Sequence, residues 1–196
     1  MNNTLKYEDI EPLTLKKILY SFVILSTALI FVSCIQNRPE RDCLISELVL
    51  DESDYPDGFV VDEISSPIAD YPLESAGLTA SFNQDLIFHV VGRYKSRKGA
   101  EQEYNNVLSS SFVEDKYRGP WIVPNEISYV SPVAQKYHLA CGNVLGEYQC
   151  RMIGQYEEYY VFFFAYISED GITFDILGDL LKKIDHHMAQ CLQAGD

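Results

Sequence analysis

Cations are scarce in this chain: 15 Lys and Arg stand against 29 Asp and Glu among 196 residues, a formal charge of −14. So acidic a protein is excluded as a nucleic-acid binder, because phosphates need basic contacts. Glycine is thin as well, eleven residues without a cluster, and no GxGxxG or Walker loop occurs to cradle a phosphate. HExxH, GxSxG and CxxC are all missing, which removes the common zinc and serine-hydrolase patterns. Nothing points to a cofactor or a bound metal. Tryptophan occurs once, whereas tyrosine and phenylalanine number 14 and 10, a bias that favours sheet. Apolar residues make up 47% and charged residues 22%, so the chain is globular rather than disordered or repetitive.

One long apolar run is present. Residues 18–33, ILYSFVILSTALIFVS, carry no charge and follow Lys16 and Lys17. A basic flank before such a run is the pattern of a secretory signal or membrane anchor. The run ends at Phe31-Val32-Ser33-Cys34, which resembles the lipobox of bacterial lipoproteins, with Ser33 in the small position and Cys34 as acceptor. The resemblance implies that Cys34 is lipidated, with palmitate-type chains, and begins the mature protein. Phe31 stands where that family usually has Leu, and seventeen residues precede the run. An uncleaved signal anchor is therefore the alternative. Either way residues 34–42 are a tether and residues 43–196 one extracytoplasmic domain, on the cell membrane or the outer membrane. Ile35 follows the cysteine in place of the Asp associated with inner-membrane retention in lipoproteins, which leaves the choice of membrane open.

Four further cysteines remain: Cys43, Cys141, Cys150 and Cys191. An even set in an exported chain reads as disulfides. Cys141 and Cys150 are close enough to staple a hairpin, and Cys43 would then join Cys191 and tie the domain's start to its last helix.

From Asp42 to Gly92 there are eleven acids and no Lys or Arg. The plain reading is a solvated acidic face; the sharper ones are a dock for a protein partner with a basic surface, or carboxylates of an extracytoplasmic hydrolase. Asp51-Glu52-Ser53-Asp54-Tyr55-Pro56-Asp57-Gly58 lacks the spacing of a calcium loop and reads as a turn.

Strands are predicted at 77–82 and 86–94, and His89 reads as a satisfied sheet histidine. Ser96 should cap a helix to about Phe112, with Ala100, Tyr104, Val107, Leu108 and Phe112 on one face. Lys95, Arg97 and Lys98 at its start oppose the helix dipole, and the sequence offers no reason for them beyond an anion or an acidic neighbour. Residues 117–135 read as an irregular loop in which Trp121 is either a buried plug or an aromatic anchor for a partner. Residues 147–156 and 159–168 read as a hairpin. In its second strand Tyr160, Phe162, Phe164 and Tyr166 share one face, while Val161, Phe163 and Ala165 share the other. Such a strand belongs at the centre of a sheet covered on both sides, and its Tyr160 stripe, with Trp121, is the candidate binding surface. Thr173 should cap a last helix with the stripe Leu177, Leu180, Leu181, Ile184, Met188 and Cys191. On that helix His186 and His187 point about 100° apart, so they read as surface residues rather than ligands.

The expected architecture is α+β: an antiparallel sheet of five or six strands with two main helices, preceded by the apolar membrane segment. The expected function is a membrane-tethered extracytoplasmic binding or accessory module without catalytic activity, such as a subunit of a membrane complex; the alternative is an extracytoplasmic hydrolase using carboxylates of the acidic 42–92 stretch.

Overall fold

The computed structural model describes residues 41, 43–64 and 72–193. The apolar leader, Cys34, most of the tether, Asp42 and Asp70 lie outside the described residues. Among those that are described, no helix is long and apolar enough to cross a membrane.

Six strands form one sheet: β1 (Val60–Glu63), β2 (Glu74–Phe82), β3 (Asp85–Arg93), β4 (Lys136–Val144), β5 (Glu147–Tyr156) and β6 (Tyr159–Tyr166). Among the described residues two α-helices accompany them, α1 (Arg97–Ser111) and α2 (Phe174–Gln193). The spatial order is β1-β2-β3-β6-β5-β4, and every neighbouring pair is antiparallel. The architecture is thus α+β with the strand number expected.

Tight turns set the registers. Asn83 takes φ 56° between β2 and β3, and Leu145-Gly146 take 54° and 96° between β4 and β5. Positive φ at the first central residue, or at both, is what a two-residue hairpin turn demands, because such turns match the strands' twist. The β3–α1–loop crossover delivers β4 to the far edge, so β6 returns into the gap between β3 and β5. Its two apolar faces put it there: Phe163 faces His89 on one side and Met152 on the other.

One face of the sheet is closed by α2. Its stripe Leu177, Leu180, Leu181, Ile184 and Met188 is fully buried against Ile87, Met152, Val161 and Phe163. The segment Leu48-Val49-Leu50 joins the same core, so the acidic stretch is anchored by an apolar strap and is not free surface throughout. The opposite face is only half covered, by Ala100 and Tyr104 of α1 over Ile153 and Tyr160. Ser96 caps α1 by accepting from the Gly99 amide at 3.1 Å.

Two disulfides are present. Cys141 and Cys150 are directly opposed in the β4–β5 ladder. Cys43 is joined to Cys191 in the last turns of α2, and the Tyr159 hydroxyl lies 3.5 and 3.6 Å from the two sulfurs. Beside this bridge the Arg41 guanidinium donates to Glu158 at 3.2 Å and to the Leu192 carbonyl at 2.7 Å. Arg41 therefore lies at the end of the sheet marked by the β5–β6 turn. Disulfides of this kind belong to chains that fold in an oxidising, extracytoplasmic space.

His89 is fully buried on the α2 face. Its Nδ1 accepts from the Leu50 amide at 3.2 Å, and its ring meets Phe163 edge-on. His187 departs from the expectation of a surface residue. Its Nε2 lies 3.3 Å from Asp54, to which Lys183 is also bound, because the acidic strap crosses α2 at this point. Desolvation, with a smaller contribution from His187, pushes the His89 pKa down to about 3. The unfolded chain binds a proton near pH 6.5 that the folded chain refuses. Stability is therefore fully present above that value and falls with acidification toward pH 3, by about 1.4 kcal/mol per pH unit for this one group. Urea melts across pH 4–7 should show the slope, and His89→Asn, which keeps an acceptor near Nδ1, should flatten it. An unchanged slope would refute the assignment.

Candidate functional site

The uncovered half of the α1 face carries an aromatic shelf. Alternation along β3 and β6 sends Phe88, Phe162, Phe164 and Tyr166 to this side, and α1 shields only the neighbouring half of the sheet. Phe88 stands opposite Phe164, and Val90 opposite Phe162. The Phe88 and Phe164 rings stack with centroids 5.4 Å apart, and Phe162 and Tyr166 meet Phe164 edge-on at 6.1 and 5.9 Å. All four rings are half-exposed. A shallow groove of about 240 Å³ runs between the shelf and α1, lined by Phe88, Val90, Glu103, Val107, Tyr160 and Phe162.

Tyr160 is the correction within the predicted surface. It is 2% exposed and forms the floor under α1, because α1 crosses the sheet directly over it. Burial pushes its hydroxyl pKa well up. Trp121 is half-buried rather than free. Its ring meets Phe112 edge-on at 5.4 Å, the Arg151 guanidinium lies 4.7 Å over it, and its Nε1 donates to the Val113 carbonyl at 3.2 Å. These contacts give it the character of a plug under the end of α1.

Arg151 and Phe88 are site residues absent from the sequence reading. Arg151 neighbours Phe164 across the β5–β6 ladder. Its guanidinium donates to the Gln149 side chain at 2.6 Å and to the Ser111 carbonyl at 2.7 Å, and it has no carboxylate partner among the described residues. Desolvation, then the nearby Arg118, lowers its pKa. A lone cation inside an apolar strand was the signal for it. Phe88 was legible as the alternate position in the 86–94 strand. Cys34 lies outside the described residues.

The described acids of residues 42–92 do not converge in a cleft. None of those described is buried. Asp51 holds its carboxyl below the usual range by accepting from Ser53, and Glu74 pairs with Arg93. Among the described residues no group of three His, Cys, Asp or Glu could hold a metal ion. The one deeply buried carboxylate among the described residues, Asp185, lies elsewhere. It accepts from Tyr156 at 2.6 Å, Ser131 at 2.8 Å and Tyr129, all hydroxyls, and pins the loop before β4 to α2.

No family model and no curated protein matches the chain. Two solved structures are similar in arrangement. The extracellular domain of PknH from Mycobacterium tuberculosis has 13% identity and a TM-score of 0.42, covering 76% of this chain and 97% of its own. An uncharacterised protein of Mycobacterium smegmatis has 10% identity and a TM-score of 0.36, covering 79% and 97%. Likenesses of this size fix neither a fold family nor an activity for this chain.

Proposed function

We propose that this chain is a membrane-tethered, extracytoplasmic, non-catalytic binding module, and that its ligand lies on the shelf of Phe88, Phe162, Phe164 and Tyr166. The partly exposed aromatic rings on the two central strands carry this reading, since a contiguous apolar patch on an otherwise charged surface marks an interaction site. The acid-free guanidinium of Arg151 beside Phe164 sets the ligand class: an apolar body bearing one anionic group. The leader and Cys34 supply the tether. The acidic strap is a second face, suited to a protein with a basic surface.

Titration with the aromatic sulfonate 1-anilinonaphthalene-8-sulfonate, against its uncharged analogue N-phenylnaphthylamine, tests the reading. Phe164→Asp should abolish binding of both probes, and a thermal melt of the variant in parallel separates lost binding from lost folding. Arg151→Gln should weaken the sulfonate about tenfold, the worth of one charge-assisted contact of about 1.4 kcal/mol, and leave the neutral probe unchanged. Probe binding indifferent to Phe164→Asp would place the ligand elsewhere.

A further inference from the structure

The charges of the domain are sorted along the strand axis. At the end where Arg41 lies, β3 finishes at Arg93, Lys95 precedes the cap of α1 and Arg97 and Lys98 open the helix, and β4 begins at Lys136. The opposite end carries Asp57, Glu147, Glu169, Asp170 and Asp175, around the hairpin turns and the start of α2, against the two cations Lys116 and Arg118 beside the β4–β5 turn. Four of the cations at the Arg41 end are answered: Arg41 by Glu158, Arg93 by Glu74, Arg97 by Glu157 and Lys136 by Glu101. Lys95 and Lys98 are exposed and have no acid within 4.0 Å among the described residues. The same rim exposes two leucines, Leu44 at 63% and Leu73 at 56%. Leu44 follows the disulfide-bonded Cys43, and the Leu73 amide is bonded to the Arg93 carbonyl at 2.7 Å.

Cations at a helix start act against folding, so their retention needs another cause. The tether provides it. Six residues lie between Cys34 and Arg41, and an extended chain spans at most roughly 3.6 Å per step, about 25 Å over the seven steps. A domain held that close to a bilayer meets it repeatedly, and its long-range field decides which end arrives. We propose that the rim of Lys95, Arg97 and Lys98, with Leu44 and Leu73, docks on anionic phospholipid headgroups and turns the acidic end away from the membrane. This rests on the membrane-tethered reading above.

The full chain in nanodiscs tests it, with Trp121, the single tryptophan, as donor and a dansyl-headgroup lipid as acceptor. Trp121 precedes Ile122, which bridges to Cys141 in the half of β4 remote from the rim. Replacing a third of the phosphatidylcholine by phosphatidylglycerol should therefore reduce energy transfer about twofold, and 1 M salt, which shortens screening to about 3 Å, should restore it. The double variant Lys95→Glu/Lys98→Glu should lose the lipid dependence while unfolding at an equal or higher temperature, because acids now face the helix start. Transfer that ignores lipid charge in the wild type, or a double variant that responds like wild type, overturns the docking and leaves tethering intact. A chain that enters neither nanodisc overturns both.

Discussion

Replacing Cys43 and Cys191 together by serine should lower the free energy of unfolding by about 5 kcal/mol, from the chain-entropy value for so long a loop. The bridge spans 148 residues of sequence, nearly the whole domain, so its loss releases the unfolded chain from its widest constraint. The Cys141–Cys150 bridge spans nine, and its removal should cost about 2.5 kcal/mol on the same model. Stabilities of single domains are about 5–15 kcal/mol, so the long bridge is a large share of the total. Urea unfolding of the full chain with and without reductant measures both. A loss under 1 kcal/mol for the long bridge would show that Arg41, Glu158 and the Leu192 carbonyl hold the end of α2 unaided.

The second large effect is at Asp185. Asp185→Leu should cost about 3 kcal/mol or more, since it strands buried hydroxyls that have no other acceptor. Tyr129, Tyr156 and Ser131 all donate to this carboxylate, and Ser131 in turn accepts from the Val133 and Ala134 amides. Burial, reinforced by the carboxylate, raises both tyrosine pKa values. Asp185→Asn keeps one acceptor oxygen and should cost about half as much. Hydrogen exchange should localise the damage, with amides of residues 127–134 losing protection before those of β6. Equal stability of Asp185→Leu and wild type would mean that the loop is held by Ile127 and Val133 packing alone.

These two sites differ in how far they could be read in advance. Cysteine number and spacing suggested the pairing that is present, because exported cysteines seldom stay free and a gap of nine suits a hairpin. Asp185 gave no such signal. Its partners lie 29, 54 and 56 residues away, and a helical aspartate beside two lysines and two histidines looks like ordinary surface. The same distance effect hid the seat of His187 on Asp54 and made β4 hard to foresee. KYHLACGNV mixes charge, glycine and apolar residues, as an edge strand that packs on one side can.

The aromatic strand lies between these cases. Apolar residues on both of its faces required a central position, and β6 takes it. How much of one face would stay open depended on where α1 crosses, and no local pattern encodes that crossing. Tyr160 was therefore buried while Phe164, four residues along the same stripe, remained half-exposed.

The sequence by itself determined the class of the domain, its two helical stripes, its doubly apolar strand, its excess of acid and its even set of exported cysteines, because periodicity, composition and chain spacing act over short distances. Only the tertiary structure decided the strand order, the shelf beside α1, the carboxylate knot at Asp185 and the gathering of cations at the tether's end. Each of these joins residues tens of positions apart through packing that no short window of sequence contains.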